Sequence, residues 1–343
     1  MLWFKRTKPS PIRLLHFGLG PIGAAVVRQA AERPGLRIVG AVDIDPAKVG
    51  RDLGEVAGLG RKLRVVVEAD ARRALRRARP HVVVLCTGSS LARVAPQIET
   101  ILRAGASIVS TTEELAYPVG PNVRIARRLD ALARRRKAAV LGTGVNPGFV
   151  MDALPLVLTA ACERVSAVRV ERVQDARLRR LPFQQKIGAG LSRDEFERRV
   201  REGGVRHVGL AESIAMIAAG LGWKLERVTD EIRPRLADER VASDYLTVEP
   251  GQVCGIVQEG IGYREGRPAI VLRLEAYLGA PESYDAVTID AVPPIAMRIQ
   301  GGLHGDVATA SIVVNSIPKV AAAPPGLHTM RSLPLPSYFG GLR

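Results

Sequence analysis

The chain has 343 residues, of which 47% are hydrophobic, 24% charged and only 4% aromatic. This suits two domains, or one large α/β domain with an insertion, and argues against disorder except at the ends. Basic proteins often bind nucleic acids, and the formal net charge is +16, but the arginines are spread along predicted helices as solvated faces are. We therefore predict no nucleic-acid partner and an attraction for small anions.

Cysteine and histidine positions bear on metals and location. Cys86, Cys162 and Cys254 are far apart and the five histidines are scattered, so we predict no disulfide framework, no metal site and a reducing location. Residues 1–6 lack the apolar core of a signal peptide, and no run approaches the ~18 apolar residues that span a bilayer. We expect a cytoplasmic protein with no membrane partner.

The first part of the chain alternates short apolar runs with amphipathic stretches, which is typical of βαβ units. The predicted strands are 12–17, 36–42, 63–67, 81–86, 107–110 and 138–141. They predict an α/β fold class with a Rossmann doubly wound parallel sheet, forming a dinucleotide-binding domain over residues 1–150. Ligands of such sheets lie beyond the carboxyl ends of the strands.

The pattern changes to long alternating strands after a predicted helix at 149–161. Strands are predicted at 165–173, 225–232, 252–263, 269–277 and 286–289, with helices at 193–201 and 210–221. Ser192 and Glu195 form a predicted capping box. We expect an α+β domain with a mostly antiparallel sheet over 151–302, used for substrate binding and dimerisation. A helix at 306–317 and a proline-rich surface tail beyond Ala321 are expected to return to the first domain, forming a segment 303–343.

A glycine fingerprint lies between the first strand and the first helix. It comprises Gly18, Gly20, Pro21, Ile22 and Gly23. Gly18 permits a tight turn, Gly20 lets the backbone approach a pyrophosphate and Gly23 lets helix and strand pack closely. The whole unit predicts NAD or NADP binding, the alternatives being a glycine-rich turn or a domain that has lost its cofactor.

Asp43 ends the second strand, where a carboxylate can accept hydrogen bonds from a ribose hydroxyl. Its charge favours NAD over NADP. Lys48 and Arg51 lie just beyond and are able to fold back onto a 2′-phosphate, so the sequence leaves the cofactor choice open.

The segments that follow the later strands supply the other candidates. We expect Thr87, Gly88 and Ser89 to line the ribose and phosphate side of the cofactor, by position. Hydride transfer also needs a group that handles a proton on the substrate. Glu113 and Glu114 follow the fifth strand. Thr111 and Glu114 have capping-box spacing, which leaves Glu113 freer to act as the catalytic acid or base.

Two further polar residues are candidates for the substrate side. Asn146, in the Asn-Pro-Gly turn after the sixth strand, has an amide suited to a nicotinamide carboxamide or to the substrate, although these residues also form plain turns. His207 lies between Gly204 and Gly209. We predict a flexible loop there that brings His207 to the substrate.

These motifs resemble the 2,4-diaminopentanoate dehydrogenase and native amine dehydrogenase family, whose first domain is similar to that of dihydrodipicolinate reductases. The matching stretches are the glycine fingerprint, 108–118 (IVSTTEELAYP), 142–149 (GTGVNPGF) and 304–309 (HGDVAT), with Val314 and Asn315. The resemblance implies a homodimer that interconverts a ketone or aldehyde plus ammonia and a primary amine with NAD or NADP.

The same resemblance implies site residues. It places the family's catalytic glutamate on Glu113, with Glu114 as the alternative or as a substrate contact, and it places Asn315 and Thr111 at the cofactor. Two related families fit less well. The chain has no adjacent histidines like those of dihydrodipicolinate reductases, and an acid stands where homoserine dehydrogenases have a lysine. A carbonyl or imine reductase and a non-catalytic nucleotide sensor remain the alternatives.

Overall fold

The computed structural model describes residues 10–341, so the expectation about a signal peptide in residues 1–6 lies outside the described residues. The chain divides into two compact units. The first unit is Met1–Gly148 with Gly305–Arg343, and the second is Phe149–His304. In residues 10–341 no helix combines the length and apolar character needed to cross a bilayer.

The elements of the first unit up to its break are β1 (Ile12–Phe17), α1 (Pro21–Ala31), β2 (Leu36–Val42), α2 (Leu53–Val56), β3 (Val67–Glu68), α3 (Ala71–Ala78), β4 (Val82–Leu85), α4 (Leu91–Arg103), β5 (Ser107–Ser110), α5 (Glu113–Ala116), α6 (Asn122–Arg135) and β6 (Ala139–Gly142). Those of the second unit are α7 (Ala153–Leu158), β7 (Arg164–Asp175), α8 (Leu181–Lys186), α9 (Arg193–Arg201), α10 (Leu210–Gly220), β8 (Arg227–Leu236), β9 (Val241–Ala242), β10 (Thr247–Val248), β11 (Val253–Arg264), β12 (Arg267–Tyr277), β13 (Tyr284–Val292) and β14 (Ile295–Gln300), with 3₁₀ turns at Thr159–Ala161 and Ala176–Leu178. The first unit resumes with α11 (Gly305–Ala321) and β15 (Gly326–His328).

The first unit is built on a seven-stranded sheet of order β15-β6-β5-β4-β1-β2-β3. Every neighbouring pair in it is parallel. Helices cover both faces of such a sheet, which is why a central strand such as Val82–Leu85 is apolar and buried along its whole length. The order is that of a doubly wound dinucleotide-binding fold, so the predicted fold class is confirmed.

Two predictions about this sheet were wrong in detail. Residues 63–66 do not pair with β2, because the Asp52 carboxylate accepts the Leu63 N–H at 2.9 Å and Val66 bridges back to Asp52, leaving β3 only two residues long. The proline-rich end is more than a surface tail, because β15 pairs in parallel with β6 and adds a seventh strand. Three residues are too few to give a periodic signal.

The interior of the first sheet contains one histidine. His16 on β1 is 1% exposed, and neither ring nitrogen has a hydrogen-bond partner among the described residues. Burial lowers the pKa of His16 to about 3. The ring is therefore neutral at physiological pH and fills core volume.

The second unit is built on a six-stranded sheet of order β14-β13-β7-β12-β11-β8. Only β7 and β12 pair in parallel, and the other neighbours are antiparallel. The mostly antiparallel sheet is therefore confirmed. The edge strand β14 was missed because its residues alternate between half-buried and exposed, without a buried apolar face.

Helix boundaries in this unit follow local capping. The helix expected at 149–161 begins only at Ala153, whose N–H is accepted by the Asp152 carboxylate at 2.6 Å. Ser192 Oγ accepts the Glu195 N–H at 3.3 Å and starts α9 as predicted. The reciprocal half of that capping box is absent among the described residues, because the Glu195 carboxylate pairs with Arg198 and Arg199.

The chain returns to the first unit through α11, which extends to Ala321, four residues beyond the predicted end. It packs against α1, where the Gln29 amide donates to the Val307 carbonyl. Past β15 the chain reaches the end of α1, where the Arg33 guanidinium stacks on the Tyr338 ring at 4.1 Å. Residues from both ends of the described chain therefore complete one unit.

Candidate functional site

The glycine fingerprint has a separate physical requirement at each glycine. Gly18 has φ +91°, and a Cβ there lies 2.5 Å from the Cys86 carbonyl oxygen. A Cβ on Gly23 lies 2.0 Å from the Gly18 carbonyl oxygen. A Cβ on Gly20 has nothing within 4 Å. Packing therefore requires Gly18 and Gly23, whereas open space beside Gly20 is what a ligand approaching the backbone needs.

The start of α1 points donors toward that open space. Gly20 is its N-cap and has no capping side chain, and Pro21 occupies the first turn. The N–H groups of a helix's first turn have no intrahelical acceptor, and together with the helix dipole they favour an anion. Gly18, Gly20, Pro21, Ile22 and Gly23 thus fit the pyrophosphate of a dinucleotide.

Asp43 fastens the fingerprint to the end of β2. Its Oδ2 accepts the Leu19 N–H at 2.7 Å, and its Oδ1 accepts the Asp45 N–H at 2.9 Å. Lys48 Nζ lies 3.6 Å from Asp43 and 3.1 Å from Asp45. Arg51 donates to the Ala47 carbonyl at 3.3 Å. Both cations that we considered for a 2′-phosphate therefore have partners in the fold.

Backbone hydrogen bonds connect the loops at the carboxyl ends of the strands in series. The Cys86 N–H donates to the Phe17 carbonyl, the Thr111 N–H to the Leu85 carbonyl and the Thr143 N–H to the Ser110 carbonyl, at 2.8 to 3.1 Å. Thr87, Gly88 and Ser89 follow directly, and Thr87 Oγ1 donates to Gln97 Oε1 at 2.5 Å. These loops form a continuous edge, as expected of ligand-binding segments in a parallel sheet.

Cys86, within this edge, is unsuited to nucleophilic chemistry. Burial raises the pKa of its thiol to about 12, although a hydrogen bond with Thr111 opposes the shift. A thiol of that pKa has no appreciable thiolate at neutral pH. The candidate chemistry therefore rests on the carboxylates of the next loop.

Glu113 and Glu114 start α5 and differ in their surroundings. Glu114 Oε2 accepts the Leu91 N–H at 2.7 Å and the Asn122 amide at 3.1 Å. Leu91 is the first residue of α4, whose own N-cap Ser90 makes no capping bond. The predicted capping box with Thr111 is therefore wrong, because Glu114 caps the neighbouring helix instead.

The Glu113 carboxylate is the free member of the pair. It is half-buried and makes neither a hydrogen bond nor an ion pair with any described residue between 10 and 341. Thr112, the N-cap of α5, likewise makes no capping bond. The local structure thus holds a carboxylate at the strand edge without using it in the fold.

Asn146 presents a buried amide with unused hydrogen-bonding capacity. The residue is 8% exposed, and neither its Nδ2 nor its Oδ1 has a partner within residues 10–341. Thr143 Oγ1, in the same loop, and Asn315 Oδ1, on α11, are also buried without a partner there. A buried polar group without a partner costs about 1–3 kcal/mol. These groups therefore fit a polar ligand such as a carboxamide, and Thr143 was missed because a lone threonine gives no sequence signal.

The same loop is tied to the returning helix. The Val145 N–H donates to Thr309 Oγ1 at 3.3 Å, and a Cβ on Gly144 lies 3.5 Å from the Thr309 methyl group. Thr309 belongs to the 304–309 motif, so this contact brings two separate sequence motifs together within the first unit.

His207 lies in the second unit, where a buried glutamine contacts its backbone. The backbone N–H of His207 donates to Gln258 Oε1 at 2.8 Å, and its backbone carbonyl accepts from Gln258 Nε2 at 3.0 Å. Burial, with the positive charges of Lys186 and Arg172, lowers the pKa of His207 to about 3. Gln258, itself fully buried on β11, thus contacts the His207 backbone at both its N–H and its carbonyl, and the flexibility of this loop stays a prediction.

A buried polar row in the second unit escaped the sequence analysis. Arg172 is 3% exposed and pairs with Asp285 at 2.7 Å. Gln174 donates to the Leu303 carbonyl at 3.0 Å and accepts from Arg179 at 2.8 Å. Arg172 and Gln174 occupy alternate positions of β7, so two polar residues on the inward side of one strand were the available signal. No group of three or more histidine, cysteine or acidic side chains able to hold a metal occurs in residues 10–341.

Comparison with known proteins supports the family assignment. The 2,4-diaminopentanoate dehydrogenase C-terminal domain matches residues 149–342. The chain is also 32% identical to the 2,4-diaminopentanoate dehydrogenase of Acetoanaerobium sticklandii, over 96% of this chain and 95% of that protein. The chain belongs to the 2,4-diaminopentanoate dehydrogenase family. The family that the motifs indicated is thereby confirmed.

Two further similar proteins are named amine dehydrogenases. An amine dehydrogenase of Streptomyces virginiae is 25% identical over 96% of this chain and 98% of its own. The solved amine dehydrogenase of Mycobacterium smegmatis is 26% identical and superimposes with a TM-score of 0.87, covering 97% of this chain and 99% of that chain. The similarity extends through both units, so this member of the family has the fold of that structure.

Proposed function

We propose that this member of the 2,4-diaminopentanoate dehydrogenase family is an NAD(P)-dependent amine dehydrogenase. It interconverts a ketone or aldehyde plus ammonia and a primary amine. The observation that carries this proposal is the Glu113 carboxylate, which follows the carboxyl end of β5, lies at the same end of the parallel sheet as the fingerprint, and has no partner among the described residues. The names of the relatives support the reaction class.

The residues at the strand edge divide the work of binding the cofactor. Gly18, Gly20, Pro21, Ile22 and Gly23 hold the pyrophosphate, and Asp43 accepts from a ribose hydroxyl. Thr87, Gly88, Ser89 and Thr111 line the ribose and phosphate side. Asn146 and Asn315 offer amide groups to the carboxamide. When bound, the nicotinamide supplies or accepts the hydride.

Glu113 moves the proton in this scheme. In the aminating direction ammonia adds to the carbonyl carbon, and Glu113 relays two protons in turn from the nitrogen to the oxygen, so that the carbon–oxygen bond breaks and water leaves. The resulting imine takes up one proton from the solvent at nitrogen and a hydride at carbon, which gives the primary amine. In the opposite direction it accepts a proton from the substrate ammonium. General acid–base groups of this kind contribute about 10²–10⁴-fold.

The assignment of Glu113 rather than Glu114 rests on their contacts. Glu114 Oε2 is used by two donors at the start of α4 and α6. A carboxylate that accepts from two fixed donors is a poor proton carrier, because the loss of its charge weakens both hydrogen bonds. We therefore assign Glu114 to hold α4, in place of the substrate contact expected from the motif.

We also propose a preference for NAD. A carboxylate at Asp43 repels a 2′-phosphate, and Lys48 is held by Asp43 and Asp45. Arg51 donates to a backbone carbonyl, so both cations considered for a 2′-phosphate already have partners in the fold. Initial rates with NADH and NADPH at equal concentration test the preference directly.

The function is tested by following NADH and NADPH oxidation at 340 nm. A panel of ketones and aldehydes is offered with and without high ammonium at mildly alkaline pH. Turnover that requires ammonium supports the amine dehydrogenase. Turnover without ammonium indicates a carbonyl or imine reductase, and tight cofactor binding without turnover indicates a nucleotide sensor.

Substrate contacts, assembly and location complete the proposal. His207, neutral and held in place, is assigned to the substrate side of the second unit. The protein is proposed to act as a cytoplasmic homodimer on a small-molecule amine, as its resemblance to the family implies. Size-exclusion chromatography with light scattering measures the assembly.

A further inference from the structure

A surface groove between α3 and α4 lies outside the edge that holds the cofactor residues. Its volume is about 480 Å³, which is within the range of small-molecule sites. Arg72 and Arg76 of α3 form one wall, Glu99 and Arg103 of α4 form the other, and Leu75 and Pro96 contribute apolar surface. Arg103 ends α4, and α4 leads into the amino end of β5. This part of the groove therefore lies at the amino ends of the strands, whereas the fingerprint follows the carboxyl end of β1.

The arginines of α3 divide into two pairs with different surroundings. Arg73 and Arg77 both pair with Glu68, at 3.7 and 2.8 Å. Arg72 and Arg76 line the groove, are exposed, and form no ion pair within 4 Å with any residue that the structure describes. They stand four residues apart on one helix face, where like charges repel. The charge of the Asp70 carboxylate, at the N-cap of α3, acts on both guanidinium groups without forming an ion pair with either.

The one acid of the groove is already neutralised from outside it. Glu99 pairs with Arg103 at 3.2 Å and with Arg128 of α6 at 3.0 Å. Because Arg128 alone balances the charge of Glu99, the groove keeps an excess of positive charge from Arg72, Arg76 and Arg103, which Asp70 offsets only in part. Guanidinium groups donate two parallel hydrogen bonds to phosphate oxygens, and several together select ligands with several phosphates.

We propose that this groove binds a small molecule that carries two or more neighbouring phosphate groups. Arg72 and Arg76 bind the phosphates from α3 and Arg103 binds them from α4. The apolar surface of Leu75 and Pro96 is available to the rest of the molecule. The site is independent of the reaction proposed above.

The test is isothermal titration of sodium pyrophosphate into the full chain, with NAD at a fixed saturating concentration so that the cofactor residues are occupied. Arg72→Gln combined with Arg76→Gln removes two charges that line the groove. Arg73→Gln combined with Arg77→Gln removes the same charge from the same helix and is the matched control. Arg103→Gln probes the opposite wall, and circular dichroism checks that each variant is folded.

We expect one saturable site in the parent chain. Its dissociation constant rises at least about tenfold in the Arg72 and Arg76 variant and in Arg103→Gln, and stays within about threefold in the control. Equal losses in the two double variants overturn the proposal, since they indicate only general attraction by net charge. The absence of a saturable signal, or inorganic phosphate binding as tightly as pyrophosphate, also overturns it. ADP in place of pyrophosphate distinguishes the sources, because binding at least as tight assigns a nucleotide and weaker binding assigns a free polyphosphate.

Discussion

The replacement Glu113→Gln separates chemistry from folding at the proposed site. Glutamine keeps the size and polarity of the side chain but cannot carry the proton. Because the carboxylate makes no bond with the described residues, its loss leaves the free energy of unfolding within about 0.5 kcal/mol of the parent value, as at other sites without such contacts. The rate is expected to fall about 10²–10⁴-fold, which is about 2.7–5.4 kcal/mol of transition-state stabilisation.

Glu114→Gln is the matched variant, one residue away and identical in chemistry. It weakens the acceptor of the Leu91 N–H and of the Asn122 amide, which is a helix cap. Such a loss costs about 1–2 kcal/mol, and lowers the melting temperature by about 2–8 °C in a unit of this size. We expect the turnover of the folded variant to stay within about threefold of the parent value, well short of a general-base loss.

The assay is ammonium-dependent NADH oxidation, with thermal unfolding measured on the same samples. The assignment is decided by comparing turnover and melting temperature, since Glu113→Gln is expected to lower only the turnover and Glu114→Gln only the melting temperature. Near-parental turnover in Glu113→Gln refutes the role of Glu113. A loss of turnover confined to Glu114→Gln, with its melting temperature unchanged, transfers the role to Glu114.

Three further predictions concern the cofactor residues and the core. Gly20→Ala should keep the melting temperature of the parent, because its Cβ has open space, but should raise the NADH dissociation constant at least about tenfold, because the new methyl group enters the pyrophosphate position. Gly23→Ala should unfold at a lower temperature. Similar melting temperatures of the two variants in calorimetry would contradict the roles assigned to the two glycines. Asp43→Asn should raise the ratio of NADPH to NADH efficiency about tenfold or more, because it removes the repelling charge and one of the two carboxylates that hold Lys48. An unchanged ratio in initial-rate kinetics rules out Asp43 as the discriminator. The pKa of His16 is lowered to about 3 in the fold, so its contribution to stability is present above the unfolded value near 6.5 and is lost by about 1.4 kcal/mol per pH unit as the pH falls from there toward 3. His16→Phe should reduce this pH dependence of the free energy of unfolding, measured with urea, whereas the exposed His304→Asn should leave it unchanged. Equal slopes of that free energy against pH in all three proteins would refute the effect.

The parts predicted from sequence are those with strong local signals. Val82–Leu85 is an apolar run of strand length, and Ser107–Ser110 has two β-branched residues between serines. The fingerprint combines turn and packing requirements in six residues. The position of the site at the carboxyl ends of the strands was predicted from the general rule for ligand binding in parallel sheets. Glu113 and Glu114 were found this way, at the end of β5.

The parts that could not be predicted depend on partners distant in the chain. The role of Glu114 is set by Leu91, which lies 23 residues earlier and meets it only in the folded sheet. Gln258 fixes His207 from 51 residues away. Short edge strands such as β15 exist only because β6 offers an unpaired side. Sequence spacing contains no information on such pairings when neither partner belongs to a repeated pattern.

The return of the chain to its first unit affects how the protein can be made. β6 lies at residues Ala139–Gly142 and β15 at Gly326–His328, and α1 is covered by α11. The second unit is continuous, so all its strands are available once Phe149–His304 has left the ribosome. The seven-stranded sheet, although its synthesis begins first, cannot be completed until the residues after Gly305 have been made. Until then β6 lacks its neighbouring strand and α1 is not covered by α11. During synthesis the unit that starts first is thus the last to finish.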